Sequence, residues 1–154
     1  MKRILFLCAS NDSLSLMAET LLRHIDSRNF EALSASLTGE RVHPLSVEVM
    51  KEIGMELNPK TSFADLPAQR FDFVITLDEV GARENYPSLA PETIHWKFED
   101  PLAASDKTPL QRRAFQSVRD QIAQRIRLLA IVHARVERVV VSSAPAMTYT
   151  NPII

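Results

Sequence analysis

A single cysteine, Cys8, stands in a chain of 154 residues. That excludes an internal disulfide and any zinc site built from several thiolates. An excess of either charge is missing too. The 18 Lys and Arg nearly cancel the 19 Asp and Glu, leaving a formal net charge of −1, so no global field favours nucleic acid or an anionic membrane. Local basic clusters such as Arg112-Arg113 read as the solvated face of a helix. No apolar run approaches the ~20 residues needed to cross a bilayer. The few apolar residues after Met1-Lys2-Arg3 give way at Cys8 to a polar loop, which is not the pattern of a signal peptide. The histidines, His24, His43, His95 and His133, lack the spacing of metal ligands and read as surface or packing residues. These absences point to one cytoplasmic domain with no metal, no cofactor, no nucleic-acid partner and no membrane partner. The composition is that of an ordinary globular core, 45% hydrophobic and 24% charged.

What is present is an alternation of strand and helix signals. Ile4–Leu7 reads as a buried strand, and Leu14–Ile25 as a helix with Leu16, Ala18, Leu21, Leu22 and Ile25 on one face. Phe30–Leu37 reads as a second strand. Pro44 starts a helix carrying Leu45, Val47, Val49, Met50 and Ile53, which Gly54 stops. Phe71–Leu77 is the clearest strand, Glu79–Asn85 a short helix before Pro87, and His95–Phe98 a last strand. From Pro109 to about Glu137 runs a long amphipathic helix with Phe115, Val118, Ile122, Ile126, Leu129 and Val132. Such alternation implies a parallel sheet with helices on both faces. Its ligands lie at the carboxyl ends of the strands, where Cys8, Asp78 and Asp100 all fall.

The octet Cys8-Ala9-Ser10-Asn11-Asp12-Ser13-Leu14-Ser15 carries the chemistry. A cysteine at a strand-to-helix turn sits among converging N–H groups and at the positive end of a helix dipole. That setting lowers a thiol's pKa and prepares a pocket for an oxyanion. The plainer alternative is a buried cysteine acting as a small hydrophobe. Asn11 suits the left-handed conformation of a tight loop, and Ser13 and Ser15 suit either helix capping or a bond to the thiolate. Asp100 before Pro101 reads as a candidate acid or as an ordinary loop dipeptide. Trp96 reads as core and Tyr86 as surface.

The octet resembles the phosphate loop of the low-molecular-weight tyrosine phosphatase and arsenate reductase family, written as Cys, five residues, Arg, Ser. The similarity continues through Met17-Ala18-Glu19, Val42-His43-Pro44, Val47–Gly54, Phe71–Leu77, His95–Pro101 and Phe115–Ile122, with the thioredoxin-dependent arsenate reductase branch the nearest. It implies a three-layer α/β sandwich with a four-stranded parallel sheet in the order 2-1-3-4, formed by residues 1–137. It also implies roles: Cys8 as nucleophile toward phosphorus or arsenic, and Ser15 as the hydroxyl that keeps it ionised. Residues 9–14 form the oxyanion cradle, and Asp100 is the general acid. The substrate is then arsenate or a phosphate monoester.

Three departures bear on function. Leu14 stands where the family has its loop arginine. Two charge-assisted hydrogen bonds to a tetrahedral dianion go with it, a loss on the order of 3–6 kcal/mol, or roughly 10²–10⁴ in rate. The second and third cysteines of the thioredoxin-dependent reductases are absent, with Asp78 and Asn85-Tyr86 in that region. A reductase of this kind needs an external thiol, glutathione with glutaredoxin or a similar system. The alternative is a pseudoenzyme, a binding module that keeps the anion loop without turnover. Residues 138–154 form a C-terminal extension beyond the family's last helix. Within it, Val139-Val140-Val141 favours β structure and is expected to pack, on its own domain or in a homodimer, with Ser142–Thr150 less regular.

Overall fold

The computed structural model describes residues 1–8, 12–37, 42–58, 70–78, 89–103 and 106–143. In chain order these form β1 (Lys2–Cys8), α1 (Asp12–Asp26), β2 (Phe30–Ser36), α2 (Pro44–Lys51), β3 (Phe73–Thr76), β4 (Glu92–His95) and α3 (Thr108–Ser143). The expected helix at Glu79–Asn85, Tyr86, and residues 144–154 lie outside the described set. The sheet is parallel throughout, in the order β2-β1-β3-β4. The α/β reading from the sequence, a four-stranded parallel sheet in the order 2-1-3-4 with helices, holds.

Side-chain alternation along β1 builds the core on both faces of the sheet. Ile4, Phe6 and Cys8 point to one face, joining Leu14, Met17, Leu21 and Leu22 of α1 and Phe115, Ile122 and Ile126 of α3. Leu5 and Leu7 point to the other, with Ala35, Phe71, Val74 and Ala90. A central strand buried on both sides explains why Ile4–Leu7 reads as an unbroken apolar run. Trp96 is core as expected, its ring 6.0 Å from that of Phe6.

Two elements differ most from the sequence reading, although β3 (Phe73–Thr76) is also shorter than the expected Phe71–Leu77. The last strand is Glu92–His95, three residues earlier than expected. Its register is set by pairing with β3, Phe73 opposite Glu92 and Thr76 opposite His95. Trp96 and Phe98 mimic a strand because both are apolar, yet only the Trp96 N–H extends the ladder, to the Thr76 carbonyl at 2.9 Å. The second difference is α3, which does not stop near Glu137 but continues through Val139-Val140-Val141 to Ser143. The valine run is helical and exposed, so it does not pack on its own domain. An established helix extends one residue at a time at only a few tenths of a kcal/mol penalty for valine, and that suffices to override its β preference.

The connection leading into α2 positions the site. His43 caps the helix, its Nδ1 accepting from the Leu45 N–H at 3.1 Å, and its ring stacks on Phe115 with centroids 5.0 Å apart. At the other end Gly54 adopts φ +75°. The bonds Gly54 N–H to Lys51 and Met55 N–H to Met50 close the helix there, as the sequence suggests. Among the described residues no helix is long and apolar enough to cross a membrane.

Candidate active site

Cys8 is the last residue of β1, and its backbone is held from both sides. Its carbonyl accepts from the Leu37 N–H at 2.9 Å, while the neighbouring Leu7 carbonyl accepts from the Leu77 N–H at 3.1 Å. The side chain is fully buried. From α1, the backbone N–H of Ser15 donates to the Cys8 sulfur at 3.1 Å. Ser15 lies in the first turn of a helix beginning at Asp12, so the positive end of the helix dipole lies beside the thiol. A donated N–H and a helix start act toward the thiolate, while complete burial acts toward the thiol.

Ser13 and Ser15 are both buried. The Ser13 hydroxyl accepts from the His43 backbone N–H at 3.0 Å. The start of α1 is thereby tied to the start of α2, a link across 30 residues that sequence reasoning missed. Its only local signal is the serine itself, which reads equally well as a cap. Asp12 opens α1, whereas Ala9, Ser10 and Asn11 lie outside the described residues.

Leu14 is 1% exposed and belongs to the same core cluster as Cys8, Leu16 and Met17. Position 14 thus contributes packing, and it supplies no positive charge. Asp100 is exposed and heads a turn: its Oδ1 accepts from the Leu102 N–H at 2.9 Å and its carbonyl from the Ala103 N–H at 3.1 Å. Because β4 ends at His95, Asp100 follows the strand by five residues instead of two. It leaves the same sheet edge as Cys8, with β3 lying between their strands. Asp78 follows β3 on that edge. The structure brings Cys8 and Ser15 into contact, and Asp78 and Asp100 follow β3 and β4, whose carboxyl ends lie on the same side of the sheet as that of β1.

Besides His43, two further histidines have structural partners. His95 Nδ1 lies 2.6 Å from the Thr76 hydroxyl, and the His133 ring lies 4.8 Å from that of Phe30.

Comparison with known proteins agrees with this geometry. Residues 3–141 match the model of the low molecular weight phosphotyrosine protein phosphatase family. The arsenate reductase of Shouchella clausii is 35% identical over 135 residues, covering 84% of this chain and 95% of the relative. The glutaredoxin arsenate reductase of Synechocystis sp. is 30% identical over 134 residues, covering 82% and 94% respectively. A solved structure of an arsenate reductase in the phosphate binding state superposes with a TM-score of 0.69 at 27% identity, covering 84% of this chain and 96% of its own. A thiol at the end of the first strand under the first turn of α1, in a sheet of this order, places the chain in the low molecular weight phosphotyrosine protein phosphatase family, beside its arsenate reductases.

Proposed function

We propose that this protein reduces arsenate with electrons from an external thiol. The observation that carries the reading is the Ser15 N–H on the Cys8 sulfur, which joins the two ends of an octet whose sequence resembles the family's oxyanion loop. The Cys8 thiolate attacks arsenic, an As–S bond forms, and one oxygen leaves as water after protonation by Asp100. A thiol of the glutathione class then attacks the Cys8 sulfur. The As–S electron pair passes to arsenic, arsenite leaves, and a mixed disulfide remains on Cys8. A second thiol resolves it. With one cysteine in the chain, both electrons come from outside, a requirement that a compartment keeping its thiols reduced would meet.

The anion is bound at the start of α1 without the charge that an arginine at position 14 would add. Turnover is accordingly slower than in an arginine-bearing relative. The test is arsenate-dependent oxidation of glutathione in the presence of glutaredoxin. Wild type is expected to sustain it and Cys8→Ser to abolish it. Anion binding with no turnover in either protein would favour the binding-module reading, for which the buried Leu14 speaks.

A further inference from the structure

α3 outlasts the domain it covers. Its inward contacts end with Ile126, Leu129, Ala130 and the His133 ring against Phe30. The helix then runs on to Ser143, about 15 Å further at 1.5 Å per residue. Leu128, Val132, Val136 and Val140 stand four residues apart and form one ridge along this end, with Ile131 and Val139 beside it. All six are more than half exposed. Isolated exposed apolar residues are ordinary, but a continuous ridge of them marks an interaction surface.

We propose that a second copy of this chain covers the ridge, the two α3 helices crossing antiparallel about a two-fold axis between Val132 and Val136. The ridge is self-complementary in this arrangement. Leu128 meets Val140 of the other copy, and Val132 meets Val136 of the other copy. Ridges of four-residue spacing interdigitate in this way when identical helices cross at about −50°.

Charge favours the same occupant. Residues 121–143 carry four arginines against Glu137, a net +3, so within a chain of net −1 the remainder is −4. An antiparallel crossing lays the basic end of each helix toward the acidic body of the other copy. It also sets Arg125, Arg127, Arg135 and Arg138 opposite Ser143, Val141, His133 and Ala130. Parallel pairing would stack every arginine on itself. The side chains point to a helix partner and away from lipid. Valine and isoleucine lose little rotamer freedom on packing, and residues 121–143 contain no Trp, Tyr or Phe of the kind that seats in a bilayer interface. Two short helix ends bury less than the ~1,200 Å² of a standard interface, so the dimer is weak and depends on concentration. It does not depend on the chemistry at Cys8.

Sedimentation velocity of the full chain tests this. The mass is expected to rise from 17.4 kDa toward twice that value across the micromolar range. Val136→Glu, at an exposed helical position, is expected to stay monomeric with an unchanged melting temperature. A second measurement does not rely on that variant. In a Cys8→Ser background, Val132→Cys mixed with Val136→Cys should form a disulfide-linked pair faster than either protein alone. A monomer at every concentration, a Val136→Glu dimer, or Val132→Cys linking chiefly to itself would each overturn the proposal. So would a monomer that sediments with phosphatidylserine vesicles.

Discussion

At the scale of the residue, the site turns on one sulfur and one N–H. Cys8 is fully buried, which by itself raises a thiol's pKa, while the Ser15 N–H and the start of α1 act in the opposite direction. We expect the second effect to win, because it acts directly on the charged atom. The pH profile of Cys8 alkylation should show a midpoint below the free-thiol value of about 8.5. A midpoint at or above that value would remove the thiolate from the mechanism. Leu14 calls for a different experiment than its place in the loop pattern suggests. With its side chain in the core, Leu14→Ala should cost about 2–5 kcal/mol in chemical denaturation. Leu14→Arg must turn a charged side chain out of that core. It should destabilise the fold and, where it still folds, raise arsenate turnover. An unchanged melting temperature for both variants would contradict the buried placement. The spacing from Cys8 to Ser15 was legible in the sequence because both lie within one turn and one helix start. The tie from Ser13 to His43 was not, because it is made by a backbone N–H whose location only the fold supplies.

Helices and strands add predictions of their own. Arg119 is a buried residue of α3 that donates to the Val49 carbonyl at 2.8 Å and to Glu52 at 3.0 Å, fastening α3 to α2. The Gln116 hydrogen bond above all, with Arg119 and Arg112, holds the Glu52 carboxyl below its ordinary value. Arg119→Ala should lower stability by about 1.5–3 kcal/mol, the worth of hydrogen bonds to a charged group, with Arg119→Lys recovering part. A loss within experimental error would show that the clamp is ornamental. On the sheet, the Arg3 N–H donates to Asp72 at 2.8 Å and, with Lys2 nearby, depresses its pKa against partial burial. A carboxylate with a depressed folded pKa stabilises above its unfolded value of about 3.9, and the contribution fades as pH falls through the folded value. The stability gap between wild type and Asp72→Asn should therefore narrow in acid. A gap that stays constant below pH ~3.9 would exclude the linkage.

The elements also show where sequence patterns reach their limit. Strands buried on both faces and helices with one apolar stripe were readable from period alone, as Ile4–Leu7 and Phe115–Ile126 illustrate. Boundaries were not. The end of β4 is set by the length of its partner β3, and α3 overruns Glu137 because helix propagation outweighs the preference of valine. The shift of β4 matters for function, since it lengthens the segment that carries Asp100.

For the whole molecule, strand order brings the carboxyl ends of β1, β3 and β4 to one side of the sheet, where Cys8 ends its strand, while the end of α3 carries an exposed apolar ridge. Family membership was readable because many short segments agree in order and spacing. The reductant was constrained by a count: one cysteine cannot form the internal disulfide of a multi-cysteine reductase. The central claim is that Cys8 bonds arsenic and that an outside thiol then attacks its sulfur and displaces arsenite. Intact-mass measurement after a single turnover tests it directly. With arsenate and glutathione together, one glutathione should become disulfide-linked to Cys8 for each arsenite released, and neither reagent alone should give the adduct. Release of arsenite by Cys8→Ser, or glutathionylation of Cys8 at the same rate without arsenate, would contradict the account.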